Sequence, residues 1–350
     1  MDPSRRQALQ HIGWNETFEG QLAAYEAHLQ AARVVAVQRF GLTIAPAVGA
    51  TAEVAIGGRF YVQAIEARPT VGDWVLVNPK TGALEARLTR SSLIKRLNPL
   101  GEVQLIAANI DTAFIVTSCN DDFSLARLER YLSVILEADI QPVVVLTKID
   151  LAPAPEVYVE QAQGLGALVP VMAVNALDAS SLAPLSRWCE TGQSIALLGS
   201  SGVGKSTLVN TLSGEQVQIT QAIRVEDGKG RHTTTHRSLH RLPQGGVILD
   251  SPGMRELQLA DAEQGVESVF ADIEAYAASC RFNDCIHASE PGCAVQAAIA
   301  AGQLDARRLE RYFKLQREEQ VNRENTAQRH ARMRQTHKQR KRLQRDKDKG

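Results

Sequence analysis

The chain has 350 residues, 44% of them hydrophobic, which is enough for two or three domains with real cores. No apolar run reaches the ~18 to 20 residues of a membrane span, and the N-terminus lacks the apolar core of a signal peptide, so we expect a soluble, cytoplasmic protein without membrane contact. The formal net charge is zero, yet residues 306–350 carry 16 Lys and Arg against 6 Asp and Glu, and this basic C-terminal segment predicts a polyanionic partner.

The first hundred residues divide into two parts. Residues 1–30 are polar with scattered aromatic side chains and form an N-terminal extension whose role the sequence does not specify. Residues 31–100 contain short β-branched runs separated by glycines and prolines, among them RFYVQAI at 59–65. About five short strands in a segment of this length are typical of a small closed or half-open β-barrel.

Residues 101–262 alternate between strand and helix patterns. Apolar runs bounded by turns and separated by amphipathic helices predict an α/β fold with a parallel, doubly wound sheet, whose ligands bind at the carboxyl ends of the strands. The expected strands are 110–118, 141–147, 168–174 and 194–199, and the expected helices are 124–139, 155–166, 181–190 and one after residue 206.

A base-reading motif follows the strand at 141–147. The carboxylate at the fourth position of TKID accepts both the ring N–H and the exocyclic amine of guanine, which favours GTP over ATP. Asn is the usual first residue of this motif, so Thr147 is a departure, and a later Asn-Ala pair stands where Ser-Ala is usual. The expected base-binding residues are Thr147, Lys148, Ile149, Asp150, Asn175 and Ala176.

A phosphate loop follows the strand at 194–199. The segment GSSGVGKST fits G-x-x-x-x-G-K-[ST] at every fixed position and lies between an apolar strand and a helix. Its glycines let backbone N–H groups surround a phosphate, its lysine neutralises β- and γ-oxygens, and its serine hydroxyl ligates Mg²⁺. The expected phosphate-binding residues are Gly199, Ser200, Ser201, Gly202, Val203, Gly204, Lys205, Ser206 and Thr207.

A D-x-x-G turn follows the apolar run at 245–249. Asp250 is expected to hold the Mg²⁺ shell, and the Gly253 N–H to contact the γ-phosphate. Met254 occupies the position where many GTPases carry a Gln that orients water, and a thioether cannot do this.

The loop at 228–236 supplies the remaining candidates for magnesium binding and catalysis. Either Thr234 or Thr235 completes the Mg²⁺ ligands, and consecutive threonines leave that choice open. His232 either positions the attacking water or is an exposed loop histidine.

Three cysteines and one histidine lie within fourteen residues near the C-terminus. Three thiolates and one imidazole form the ligand set of a tetrahedral structural Zn²⁺ site with no open position, and the alternative is a group of unliganded thiols. One zinc ion would replace a core that this short segment cannot build. The expected ligands are Cys280, Cys285, His287 and Cys293.

The motifs come in an unusual order. TKID precedes the phosphate loop and D-x-x-G follows both, whereas an ordinary GTPase places the base-reading motif last. With PTVGDWV at 69–75, GRHTTT at 230–235 and CRFNDCIHASEPGCAV at 280–295, the chain resembles, from about residue 31 to 320, the circularly permuted GTPases of the RsgA (YjeQ) family, which depend on the small ribosomal subunit.

The resemblance implies both an architecture and an activity. It implies GTP hydrolysis stimulated by the 30S subunit during late maturation, with contacts to 16S rRNA and with Mg²⁺ accompanying GTP or GDP. It also implies an OB-fold barrel, a permuted GTPase domain and a zinc-finger domain. The N-terminal extension and the basic tail lie outside the resemblance, and the clustered Lys and Arg of the tail predict contact with RNA. In chain order, the boundaries expected for these parts are 1–30, 31–100, 101–262, 263–325 and 326–350.

Hydrolysis is expected to act as a release signal, because the chain passes from D-x-x-G into the zinc segment almost at once. We expect a monomer with slow intrinsic turnover. An RNA-binding adaptor whose nucleotide site only stabilises the fold, and an ATP-dependent enzyme, are the alternatives.

Overall fold

The computed structural model describes residues 2–38, 41–98, 102–214, 238–250 and 262–323. Within these ranges no helix combines the length and the apolar character that crossing a bilayer requires. The predicted residues His232, Thr234, Thr235 and Gly253, and the tail from residue 324 onward, lie outside the described residues.

The N-terminal extension is helical and packs onto a curled antiparallel sheet. Its helices α1 and α2 span Pro3–Gln10 and Glu16–Gln21. Trp14 and Phe18 are buried against Trp74 of the sheet, with the two tryptophan rings edge to face at 4.7 Å. The extension therefore covers one face of the sheet.

The sheet confirms the predicted half-barrel and has the strand order β3-β2-β1-β4-β5. A second apolar cluster, which includes Val34, Leu42 and Val75, fills the face that the extension leaves uncovered. The strands β1 to β5 span Gln30–Val37, Gly41–Pro46, Ala52–Ala55, Trp74–Val77 and Leu84–Arg87.

The segment 59–65 is not the strand that its composition predicts. It holds a short helix, α3 at Gly58–Tyr61, and a 3-10 turn follows at Ile65–Ala67. Phe60 is buried in the barrel core, whereas Val62 is 87% exposed. In a strand, residues 60 and 62 would lie on the same face and would be buried or exposed together. A turn of helix places them on different sides, which agrees with the burial of Phe60 and the exposure of Val62.

A two-stranded ribbon joins the barrel to the second sheet. Its strands β6 and β7, at Leu93–Leu97 and Val103–Ala108, pair antiparallel. The sequence pattern did not identify this ribbon.

The second sheet has the order β10-β9-β8-β11-β13-β12, as predicted for a doubly wound fold. All neighbouring pairs are parallel except β12 with β13. The strand β11, which leads into the phosphate loop, lies at the centre of the sheet, although β8, β9 and β10 all come earlier in the chain. This arrangement corresponds to the permuted motif order, in which the base-reading motif after β9 precedes the phosphate loop. The strands β8 to β13 span Thr112–Ser118, Gln141–Thr147, Val171–Ala173, Ser194–Leu198, Ser238–Arg241 and Val247–Asp250.

Helices cover both faces of this sheet. The helices α4, α5 and α6 span Leu125–Glu137, Pro155–Gln163 and Lys205–Ser213. The predicted helix at 181–190 is instead a 3-10 segment, Ala183–Trp188, with proline in its first turn.

The C-terminal helices pack on α4. The helices α7, α8 and α9 span Glu263–Val269, Ala271–Ala277 and Ala294–Ala300, and α10 covers 306–323. A single buried cluster joins Ile115 of the sheet, Leu132 of α4 and Leu309 of α10. The sheet and the C-terminal helices therefore share one core.

A buried arginine joins the barrel to the second sheet. Arg33 of β1 has no solvent exposure and donates to Gly72 O (3.3 Å), Asn109 O (3.0 Å), Ile12 O and the Ser194 hydroxyl (2.8 Å). Desolvation lowers the pKa of Arg33 to about 10, opposed by nearby Asp111 and Asp73, so the group is charged at neutral pH.

Candidate nucleotide and metal sites

The predicted base-reading and phosphate loops meet at the carboxyl ends of neighbouring strands. β9 ends at Thr147 and β11 ends at Leu198, with only β8 between them. Thr147 is fully buried, and its hydroxyl donates to Val203 O at 2.6 Å, which ties one loop directly to the other. Lys148 has a left-handed backbone (φ 57°), and the Asp150 side chain is exposed on the same loop.

Close packing against neighbouring strands shapes the phosphate loop. A Cβ on Gly199, whose φ is 142°, would lie 2.2 Å from Val116 O, so only glycine fits there. The Lys205 ammonium donates to Gly199 O at 2.7 Å and also to Ser200 O. Because α6 begins at Lys205, its N-terminal N–H groups and positive dipole end face the loop.

The Asn175–Ala176 turn is fastened to the helix that follows the phosphate loop. The Thr211 hydroxyl on α6 donates to Ala176 O at 2.7 Å, and the Asn175 side chain accepts from Leu177 N at 3.0 Å. The structure thus joins the 147–150 segment to the phosphate loop and the Asn175–Ala176 segment to the helix that follows that loop. Thr211 was not predicted, because its role depends on the packing of two segments that are distant in sequence.

An ion pair that the sequence did not reveal lies beside the phosphate loop. Arg127, in the first turn of α4, donates to the Asp122 carboxylate at 2.9 Å and to Asp122 O at 2.6 Å. The same guanidinium donates to the hydroxyl of Ser200. An arginine in an amphipathic helix gives no sequence signal of such a contact.

Part of the remaining predicted site is described. Asp250 is the last residue of β13, so D-x-x-G starts beside the phosphate-loop strand β11. Its expected partners His232, Thr234, Thr235 and Gly253 fall outside the described residues.

Cys280, Cys285, His287 and Cys293 form one cluster, with all four donor atoms within 4.8 Å of one another. Cys280 Sγ and Cys293 Sγ lie 3.9 Å apart and 3.6 and 3.5 Å from His287 Nδ1. Tetrahedral Zn²⁺ with bonds of ~2.3 Å to sulfur requires separations of about 3.8 Å, so the residues fit the metal. Desolvation raises the pKa of the Cys280 thiol, but hydrogen bonds from the Ala294 and Val295 amides lower it below its usual value overall, which favours a thiolate.

Two further side chains hold the loop that carries His287. The Glu290 carboxylate accepts from the backbone N–H groups of Ile286 (3.0 Å) and Ala288 (3.0 Å), and these bonds lower its pKa. Gln296 donates to His287 O at 2.6 Å. His287 has a φ of 57°, and these contacts fix that conformation.

Comparison with known sequences identifies the family. A model of the RsgA GTPase family matches residues 87–260. An ABC transporter model also matches, over 182–347, a range that contains the phosphate loop common to many nucleotide-binding proteins.

Two relatives match over most of their length. "Small ribosomal subunit biogenesis GTPase RsgA 2" of Vibrio vulnificus (strain CMCP6) is 49% identical and covers 100% of this chain and 99% of its own. "Small ribosomal subunit biogenesis GTPase RsgA" of Mesorhizobium japonicum is 47% identical and covers 90% of this chain and 91% of its own.

Solved structures show the same fold. YjeQ from Thermotoga maritima has a TM-score of 0.61 at 24% identity and covers 83% of this chain and 98% of its own. YloQ, described as a circularly permuted GTPase, has a TM-score of 0.60 at 24% identity and covers 85% and 97%. The permuted order found in the sequence is thus also the order of these folds, and the sequence matches establish that the chain belongs to the RsgA GTPase family and is a GTP hydrolase.

Proposed function

We propose that the protein binds the small (30S) ribosomal subunit and hydrolyses GTP during maturation of that subunit. The observation that carries the proposal is the Thr147–Val203 hydrogen bond, because it joins a guanine-reading loop to a phosphate loop within one site. The relatives are small ribosomal subunit biogenesis GTPases, and they supply the identity of the partner.

The nucleotide roles follow the motif positions. Residues 199–207 hold the phosphates, with Lys205 neutralising phosphate oxygens. Residues 147–150 bind guanine, with Asp150 accepting its two N–H donors, and Asn175 and Ala176 approach the base oxygen.

The residues proposed to hold Mg²⁺ and to position the attacking water come from three segments of the chain. Ser206, Asp250 and one of Thr234 and Thr235 would hold Mg²⁺, which stabilises charge on the β- and γ-phosphates. Gly253 senses the γ-phosphate, and His232 positions the attacking water.

The cysteine cluster is proposed to hold one structural zinc ion. The ligands are the four residues of the cluster, and the observed donor separations support this choice. Zinc stabilises the fold of 280–293, a segment with exposed Phe282 and Ile286 and little core of its own.

The remaining proposals concern organisation and location. The parts are the extension (1–30), the OB-fold (31–100), the GTPase domain (101–262), the zinc-binding domain (263–325) and the basic tail (326–350). The tail contacts 16S rRNA through its clustered Lys and Arg side chains, whose phosphate contacts release counterions. The protein acts as a cytoplasmic monomer without membrane contact.

GTP turnover with and without 30S subunits tests the proposal, with 50S subunits as the control. We expect a large rise with 30S alone, because Met254 stands where many GTPases carry the Gln that orients water, so turnover without the subunit should be slow. The Lys205→Ala variant should lose turnover and keep its zinc, while Lys80→Ala, an exposed lysine of the barrel, should match wild type.

Four results would count against parts of the proposal. Equal turnover with 30S, with 50S and with neither would contradict ribosome activation, and GTP binding without a 30S-dependent rise would favour an RNA-binding adaptor. Displacement of bound GTP by excess ATP would contradict guanine reading. Full activity of Lys205→Ala would contradict the phosphate-loop assignment.

A further inference from the structure

One residue of the phosphate loop is held from two sides. The carbonyl of Ser200 accepts from the Lys205 ammonium, and its hydroxyl accepts from Arg127. The Arg127 side chain is only one-third exposed and is fixed by two bonds to Asp122, so it presents a pre-oriented donor to the loop. A movement of Ser200 would therefore change its hydrogen bond with Arg127.

Helix α4, which carries Arg127, is anchored at a second point. Glu129 lies about 200° around the helix from Arg127 and has no solvent exposure. Its carboxylate accepts from Arg311 at 2.7 Å and from Arg308 at 3.2 Å, both on α10. One helix thus contacts the phosphate loop on one side and the C-terminal helix on the other.

The anchor extends into the C-terminal helices. Arg308 donates to the Asp272 carboxylate at 2.7 Å and to Val269 O at 2.8 Å, and its guanidinium lies over the Phe270 ring at 4.9 Å. Removing one partner from a buried ion pair leaves an uncompensated charge, so this contact resists separation. A shift of α4 is therefore expected to reach α8 and α10.

We propose that Arg127 is a positioning residue of the phosphate loop, and that α4 couples nucleotide binding there to the C-terminal helix 306–323. Phosphate oxygens compete with the Ser200 carbonyl for the Lys205 ammonium, so nucleotide binding changes the contacts of the residue that Arg127 holds. The route passes through described side-chain contacts and does not involve D-x-x-G. The inference rests on the proposed phosphate-binding role of 199–207.

A double-mutant cycle on the full-length, zinc-loaded protein tests the positioning role. Arg127→Ala and Ser200→Ala each remove one side of the same hydrogen bond, so each should weaken binding of a fluorescent GDP analogue about 3- to 10-fold. The double variant should bind no more weakly than the worse single variant. The matched control is Arg187→Ala, an exposed arginine stacked on Trp188 in the same domain, which should match wild type.

Hydrogen exchange of 306–323 with and without GDP tests the coupling. Wild type and Arg187→Ala should show a GDP-dependent slowing of exchange in this helix, and Arg127→Ala at saturating GDP should not. Multiplicative effects in the cycle, or an unchanged GDP response in Arg127→Ala, would overturn the inference. Failure of wild type to bind GDP would instead count against the proposed phosphate site.

Discussion

Thr147 shows how one side chain can organise a site by joining two of its loops. A buried hydroxyl at this position supplies the donor for Val203 O, so the departure from the usual Asn keeps a polar group where a loop carbonyl needs one. The contact makes the position of the 147–150 loop depend on that of the phosphate loop.

Replacing Thr147 by valine tests this role. Valine has nearly the same shape but leaves the Val203 carbonyl without its donor, at a cost of about 1–3 kcal/mol. If this hydrogen bond holds both loops in place, affinity for GDP should fall about 5- to 140-fold in a fluorescence titration, because 1.4 kcal/mol corresponds to tenfold.

Thr147→Ser is the matched control, since it keeps the hydroxyl and should retain most of the affinity. Equal affinities for the valine and serine variants would show that the hydroxyl does not organise the site.

At the scale of elements, helix α7 packs unusually close to α4. A Cβ on Gly265 would lie 1.9 Å from Ser133 O, and Gly265 N donates to the Glu137 carboxylate at 2.8 Å. The obstacle is a backbone oxygen inside a helix, which cannot rotate away. Close approach of the two backbones therefore depends on this glycine.

Gly265→Ala should destabilise the protein by about 1–3 kcal/mol through overpacking, which exceeds the ~1 kcal/mol that alanine gains in helix propensity. Urea unfolding monitored by tryptophan fluorescence would measure the change. Gly20→Ala on the exposed side of α2, where an added Cβ meets nothing within 4 Å, should be neutral or stabilising. Equal behaviour of both variants would contradict the packing argument.

Two segments show why some strands could be predicted from the sequence and others could not. The strand at 141–147 was predicted to the residue because an apolar run ended by polar neighbours fixes its limits locally. The aromatic and β-branched composition of 59–65 favours a strand, but burial of Phe60 in the barrel gives a helical turn instead. The secondary structure of 59–65 is therefore set by its packing in the barrel and not by its local sequence.

In the candidate site, too, some residues can be predicted from the local sequence and others cannot. The phosphate loop and the cysteine cluster are each continuous in sequence, so spacing alone brought their residues together. Arg127 and Ser200 are 73 positions apart, and Arg308 and Glu129 are 179 apart. The sequence around each of these residues gives no indication of its partner, because only the folded structure brings the two partners together.

At the scale of the whole molecule, Arg33 connects regions that the sequence placed in separate domains. Its guanidinium reaches the extension at Ile12, the barrel at Gly72 and the strand β11 at Ser194. Since β11 runs directly into the phosphate loop, the barrel is fastened to the strand that positions the nucleotide site. We therefore expect the barrel and the sheet to move as one unit.

Arg33→Met should destabilise the protein by about 3–5 kcal/mol, because a buried charge network loses its cation and several acceptors lose their donor. Arg6→Met, which removes a partly exposed ion pair with Glu19, should change stability by less than about 1 kcal/mol. If Arg33→Met does not fold, Ser194→Ala removes one of its contacts more gently and should speed hydrogen exchange in 103–111. Unchanged exchange there in Ser194→Ala, or equal stabilities of the two arginine variants, would show that the barrel is held to the sheet by its apolar contacts and not by Arg33.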